Sequence, residues 1–229
     1  MPGARKPGND FAAVVDRAIV RAGGPRALEA MLPKPKTPAQ LRRVADDRYL
    51  SLMCRRVFRA GLRHAMVDAR WRAFEHAFHH FQPGRVVLMD DEALERMMAD
   101  RRLIRHWAKL RSVRDNAAAV RSVADEHGTF GRYLAAWPTI DIVGLWRDLG
   151  RRCSQMGGNS GPAFLRMAGK DTFLLTGDVV TALVGLGACR RKPATKSELH
   201  AVQAAFNRWS ERTGRPLSQI SRILALSVG

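Results

Sequence analysis

Residues 157–161 read Gly-Gly-Asn-Ser-Gly, with Pro162 directly behind them. Glycine permits positive φ and lets another backbone come close. Proline suits the first turn of a helix, where its missing N–H is not needed. Between two helices, such a bend turns backbone amides outward and presents the start of the second helix. Together these make a concave seat for a phosphate oxygen. An ordinary helix end followed by a turn is the plainer account. A second set of residues points the same way. Arg55, Arg59 and Arg63 recur every four positions, on one face of a helix. They read as a phosphate-binding ridge or as a solvated face.

The flanking sequence must supply helices to hold these groups, and helix periodicity dominates the chain. A first helix is expected over 10–22, stopped by Gly23 and Gly24, with a short helix over 25–32. Pro-Lys-Pro-Lys-Thr-Pro at 33–38 breaks the pattern and reads as a linker. The next helix is expected over 39–60, where Leu50, Met53, Cys54 and Val57 form one apolar stripe. Another is expected over 63–81, closed near Gln82-Pro83-Gly84. Acidic residues open a helix at 89–100, a long basic helical stretch follows from 101, and a further helix leads into the Gly-rich bend. Thr195 and Glu198 stand in capping-box register ahead of Leu199, Val202, Phe206 and Trp209. No strand alternation, repeat or low-complexity tract is present.

Bulk properties bound the rest. A chain of 229 residues with 46% apolar content is one domain, or one domain with an extension, and can bury a core. No apolar run is long enough to span a membrane, and the basic N-terminus is followed by no apolar segment of the secretory kind. Cys54, Cys153 and Cys189 are scattered and odd in number, so neither a disulfide framework nor a zinc site is expected. His76 and His80 are spaced i, i+4 but have no acidic third ligand nearby, and chance on an exposed helix accounts for them. Lys plus Arg exceed Asp plus Glu by 39 to 21, a formal charge of +18. That excess points to a polyanion, with nucleic acid favoured over a membrane surface.

From about 46 to 137 the chain resembles the 3-methyladenine DNA glycosylase I family, a branch of the helix-hairpin-helix glycosylases. The resemblance is carried by DDRYLSLMCRRVFRAGL and by the run from Trp71 to Ala117. Within that run Phe81, Pro83, Asp100, Ile104, Arg105, Lys109, Asn116 and Ala117 fall in register. It implies an all-α helix-hairpin-helix glycosylase fold with a deep cleft between helical subdomains. Residues 1–38 would be a basic helical arm with its Pro/Lys linker, and 39–229 the glycosylase-like domain.

The resemblance also implies a chemistry. Such an enzyme flips a damaged nucleotide out of duplex DNA, fills the gap with a wedge, and hydrolyses the N-glycosidic bond without cutting the strand. Gly61 and Leu62, in the turn Ala60-Gly61-Leu62, would be the wedge. Gly157, Gly158, Asn159, Ser160 and Gly161 would grip the backbone with Arg55, Arg59 and Arg63. Arg56, Phe58 and His64 would line the base pocket. Arg56 stands where the family has a base-reading Glu, and His64 where it has a Trp. A cation cannot accept the exocyclic N–H bonds of adenine. The family's zinc ligands are missing. No zinc is expected, and a monovalent cation is a candidate occupant of the hairpin. Other helix-hairpin-helix glycosylases carry a catalytic Asp after the hairpin. By loose register Asp178 takes that place, either stabilising a sugar cation or activating water; alternatively it caps a helix. The reading is a monomeric, cytoplasmic, nucleoid-associated bacterial enzyme acting on alkylated purines. Two alternatives remain: a non-catalytic DNA-binding or lesion-sensing protein on the same scaffold, and an RNA binder.

Overall fold

The computed structural model describes residues 11–228. Among them there are α-helices and short 3-10 turns and no strand. The helices are α1 (Phe11–Ala22), α2 (Pro25–Met31), α3 (Pro38–Arg43), α4 (Asp46–Arg59), α5 (His64–Ala77), α6 (Pro83–Val86), α7 (Asp91–Ala99), α8 (Trp107–His127), α9 (Phe130–Ala136), α10 (Ile142–Arg152), α11 (Ser160–Ala168), α12 (Gly177–Gly185), α13 (Lys196–Thr213) and α14 (Leu217–Leu226). Several starts follow from their caps. Thr37 with Gln40 and Thr195 with Glu198 form complete capping boxes, and Asp90 and Thr129 accept backbone N–H groups of α7 and α9. The Glu198 carboxyl, taking the amides of Thr195 and Ala194, is held down at about 2.

The chain divides into two compact units. One comprises Lys36–Pro138 and Gly144–Lys170. In it α8 packs on α4, α6, α7 and α9, while α4 also meets α5 and α11. The apolar stripe expected from the sequence is its core: Leu50, Met53, Cys54 and Val57 are all buried. An aromatic cluster continues it. Phe58 lies against Trp71 and Phe74, and Trp71 stacks on Phe74 and Phe81.

The single helix expected over 39–60 is broken at Val44 and Ala45. Two bonds explain the break, one local and one long-range. The buried Tyr49 hydroxyl donates to the Leu41 carbonyl at 2.7 Å, an acceptor that a continuous helix would use itself. Asp46 accepts the Phe130 amide at 2.9 Å. Burial, followed by the nearby Asp46, pushes the Tyr49 hydroxyl up to about 12. The helix expected to reach 81 stops at Ala77. His79, His80 and Phe81 then take φ of 50, 55 and 58°, three consecutive left-handed residues that are not glycine. Each costs about 1–2 kcal/mol. Arg48 holds this turn. Its guanidinium donates to the His80 carbonyl at 2.6 Å and pairs with both Glu75 oxygens.

The described parts of Met1–Pro35, Thr139–Val143 and Asp171–Gly229 form the other unit. The segment expected to be an N-terminal arm packs here on the C-terminal helices. α1 lies along α14, and Phe11 stacks on Trp209 with centroids 5.1 Å apart. Arg215 pairs with Glu29. Phe173 stacks on Phe206 at 4.1 Å. The first ten residues of the expected arm lie outside the described residues.

Gly131 shows how closely α9 approaches α3: a Cβ there would stand 2.5 Å from the Leu41 carbonyl oxygen and 3.2 Å from the Tyr49 ring. Backbone cannot yield as a side-chain tip can. Gly131→Ala is therefore expected to lower stability by about 1–3 kcal/mol. A urea-unfolding midpoint matching that of the wild type would show that α3 moves freely.

Candidate nucleic-acid interface

The Gly-rich bend joins α10 to α11, as the sequence indicated. Gly157, Gly158 and Asn159 are exposed, Ser160 is half-buried and Gly161 is buried. Gly158 has a φ of 56°, and open space surrounds the positions a Cβ would take at Gly157 and Gly158. Ser160 N–H bonds the Gly157 carbonyl at 3.1 Å and closes the turn. Among the described residues, no acceptor takes the amides of Gly158 or Asn159. Gly161 has a different task. A Cβ on it would fall 2.9 Å from the Met156 carbonyl oxygen and 3.7 Å from that of Trp146, so its bare backbone lets the two arms close. The bend thus separates into an outward, unpaired half and an inward, packed half.

The turn after α4 has a similar character. Gly61 takes a φ of 74°, with nothing within 4 Å of a Cβ built there. Gly61 is exposed and Leu62 half-buried. Lys109 fixes this turn from below. The residue is only 7% exposed, and its amine donates to the carbonyls of Ala60 at 2.6 Å and Phe58 at 3.3 Å. This buried cation satisfies the last carbonyls of α4, where the helix dipole is negative. Burial, then the neighbouring Arg56 charge, lowers its pKa. One residue earlier, the Ala108 carbonyl accepts the Gln155 side-chain amide at 2.9 Å. Farther along α8, buried Asn116 donates to the Ser154 carbonyl at 3.2 Å. The first turn of α8 therefore touches both the arm leading into the Gly-rich bend and the 60–62 turn. Trp107, which opens that helix, remains 36% exposed.

The arginine ridge is not as expected. Asp68 on α5 accepts from Arg55 Nε at 2.9 Å and from Arg59 Nε at 3.0 Å, and pairs with the Arg59 terminal nitrogen as well. The carboxyl is held below the usual carboxylate range by the Arg59 bond and then by Arg55. Arg55 also lies 5.9 Å over the Trp71 ring. Two of the three ridge charges are thus already matched, while Arg63 is exposed without a partner among the described residues. Spacing placed Arg55 and Arg59 on one face correctly, but no local pattern revealed which acid they face.

The pocket residues separate too. Phe58 is fully buried in the aromatic cluster, so it has no free face on which a base could stack. His64 is exposed at the start of α5. Arg56 is half-buried, and its Nε is buried with no hydrogen-bond partner. A buried donor left unsatisfied costs about 1–3 kcal/mol. Burial, then Arg59, lowers the Arg56 pKa.

Arg151 and Arg152, just before the bend, are tied down. Both pair with Asp148, and Arg152 also grips Glu126. Asp148 further accepts the buried Tyr133 hydroxyl at 2.7 Å. Burial raises the Asp148 pKa, but the Tyr133 and Arg151 bonds and the Arg152 charge outweigh it and leave the carboxyl lowered.

In the other unit, Asp178 lies exposed in the first turn of α12, but it is not the cap. Thr176 is, its hydroxyl accepting the Val179 amide. Asp171, the other acid after α11, accepts the Leu217 and Ser218 amides at 2.9 and 2.8 Å and starts α14. Of these two carboxylates, only that of Asp178 has no partner among the described residues. No cluster of three His, Cys, Asp or Glu side chains that could hold a metal occurs among the described residues, and none of their helices is long and apolar enough to cross a membrane.

Residues 41–149 match the family model described as methyladenine glycosylase. Solved structures share the fold. A single-substitution variant of 3-methyladenine DNA glycosylase I in complex with 3-methyladenine is 17% identical, with 79% of this chain and 100% of that one covered at a TM-score of 0.52. A 3-methyladenine DNA glycosylase I from Staphylococcus aureus is 19% identical, with 80% and 100% covered and a TM-score of 0.51.

The Asp148 cluster yields a pH prediction. Its folded pKa is depressed, so its contribution is complete above the unfolded value and fades as pH falls through the folded one. Asp148→Asn is expected to cost about 1–3 kcal/mol at pH 7 and progressively less under acid conditions. An equal loss at pH 7 and pH 3 in urea melts would place the stabilisation elsewhere.

Proposed function

We propose that this chain, which over residues 41–149 matches the methyladenine glycosylase family, is a monofunctional DNA glycosylase acting on alkylated purines flipped from a duplex. The observation that carries the reading is the common footing of the two loops. The Gln155 side chain, at the entry to the bend whose Gly158 and Asn159 amides are exposed and unpaired among the described residues, and the Ala60 carbonyl of the exposed Gly61 turn are both bonded to the start of α8. A strand whose phosphate met the bend would run past the turn that could replace an extruded base.

The chemistry asks little of the protein. Alkylation at a ring nitrogen gives the purine a positive charge, and the base leaves neutral as its bond to the sugar breaks. The sugar becomes oxocarbenium-like and must be met by water. Asp178 is the proposed anion. Its carboxylate would stabilise the sugar cation or take the proton from the attacking water. Gly157 to Gly161 with Arg63 would hold the backbone, the outer nitrogens of Arg55 would add to them, and Gly61 with Leu62 would wedge the stack. Arg56 and His64 are the proposed base contacts, with Phe58 supporting them from within the core. The reading takes the protein as a monomer working on chromosomal DNA in the cytoplasm, without zinc, a monovalent ion at the bend being optional.

Arg56 also favours the second reading, a lesion-sensing DNA binder without turnover, because a cation at the base opposes a cationic lesion. Incubation with methylated duplex DNA separates the two. Release of free methylated purine is expected. Tight, DNA-selective binding without release would identify the sensor, and loss of bound DNA to matched RNA competitor would favour an RNA partner.

Two substitutions test the assigned roles. Asp178→Asn is expected to slow release about 100-fold or more with duplex affinity retained; an unchanged single-turnover rate would remove Asp178 from the chemistry. Gly157→Asp, at an open site without positive φ, should weaken duplex binding about tenfold and flatten its salt dependence. Unaltered binding would free the bend from any DNA role.

A further inference from the structure

Arg56 is an anomaly on α4. Arg48 is matched by Glu75, and Arg55 and Arg59 by Asp68. Arg56 meets no carboxylate among the described residues, and its Nε–H is buried without an acceptor. Its charged neighbours are the cations Arg59 and Lys109, which increases the cost of keeping it there. Lys109 cannot share an acceptor with it, because its amine is committed to the Phe58 and Ala60 carbonyls. An uncharged side chain would remove both penalties. A guanidinium kept in this setting is one whose acceptor arrives with a ligand.

A strand phosphate already has exposed Arg63 and the bend amides to meet it. Arg56 lies one helical turn before the 60–62 turn, its carbonyl accepting the Ala60 amide, so a base turned out there would bring it an acceptor. Guanidinium has five donors and no acceptor, so it satisfies a carbonyl oxygen and leaves an exocyclic amine unpaired. On the purine six-position that distinguishes guanine, which carries O6, from adenine, which carries NH2. We propose that Arg56 reads the extruded base and that the preferred substrates are alkylated guanines rather than alkylated adenines. The proposal rests on the glycosylase reading above and names its substrate class.

Methylated duplex DNA contains both 7-methylguanine and 3-methyladenine. Both carry the alkylation charge in DNA, so repulsion by Arg56 largely cancels in their ratio and the six-position remains. Bases released under single-turnover conditions would be separated by chromatography and normalised to their abundance. Wild type is expected to favour methylguanine by about 10- to 100-fold, the range for a charge-assisted hydrogen bond. Arg56→Lys should keep part of that preference, Arg56→Gln should lose it, and Arg56→Glu should invert it. Preferential release of 3-methyladenine by wild type, or a ratio unmoved in Arg56→Gln, overturns the proposal. Arg56→Gln adds no charge and guards against a folding failure of Arg56→Glu. If no base leaves at all, the glycosylase reading fails separately. Free 7-methylguanine and free 3-methyladenine titrated against tryptophan fluorescence then decide. Tighter binding of 7-methylguanine, abolished in Arg56→Gln, supports base reading by Arg56, and equal affinities refute it.

Discussion

A buried amine sets the position of the open Gly61 turn on the larger unit. Lys109 projects from the first turn of α8 and holds the carbonyls of Phe58 and Ala60. Those carbonyls would otherwise be unsatisfied at the end of α4, and the amine would otherwise be an unpaired buried cation. Each group removes the desolvation penalty of the other. The result is a turn whose chain path is fixed while Gly61 beyond it stays open. The adjacent residue of α8 bonds Gln155, so the same helical turn also fixes the approach to the Gly-rich bend. Relative placement of the two loops is thus a property of a rigid helix, not of the loops.

The charge pattern follows a related logic. A formal charge of +18 would repel itself if left unmatched, and many arginines are in fact engaged. Asp68 takes two, Asp148 takes two, and Glu126 shares one of the latter. The arginines so tied brace helix pairs. Those left over are more informative, because nothing structural accounts for them. Arg63 stands in solvent at the end of the expected ridge, and Arg56 sits half-buried with an unanswered donor.

Much of the helix framework was legible because its signals are local. The capping box at Thr195, the acidic start of α7 and the apolar stripe of α4 are decided within a few residues of chain. The bend at 157–161 was legible for the same reason, since glycine is needed where φ is positive or backbones meet. What the sequence hid was long-range. The split between α3 and α4 depends in part on the Phe130 amide reaching Asp46 from across the fold, and the end of α5 depends on Arg48 gripping His80. Asp68 neutralises the ridge from another helix, and Asp171 caps α14 from a distant stretch of chain. Phe58 flanks the open turn in sequence, yet its ring points into the core. Adjacency along the chain fixes which residues share a neighbourhood, while helix rotation decides which of them face solvent.

The three cysteines show how such a protein can survive its surroundings. Cys54 is fully enclosed and its thiol is pushed well up by burial; Cys153 is pushed up to about 12 by the same cause. Cys189, the one nearer the surface, is also raised by burial. Sulfur attacks electrophiles as thiolate, and these groups stay protonated at neutral pH. Alkylating electrophiles seek soft nucleophiles, thiolate above all. With their sulfur protonated and largely enclosed, these three side chains offer such reagents little to attack.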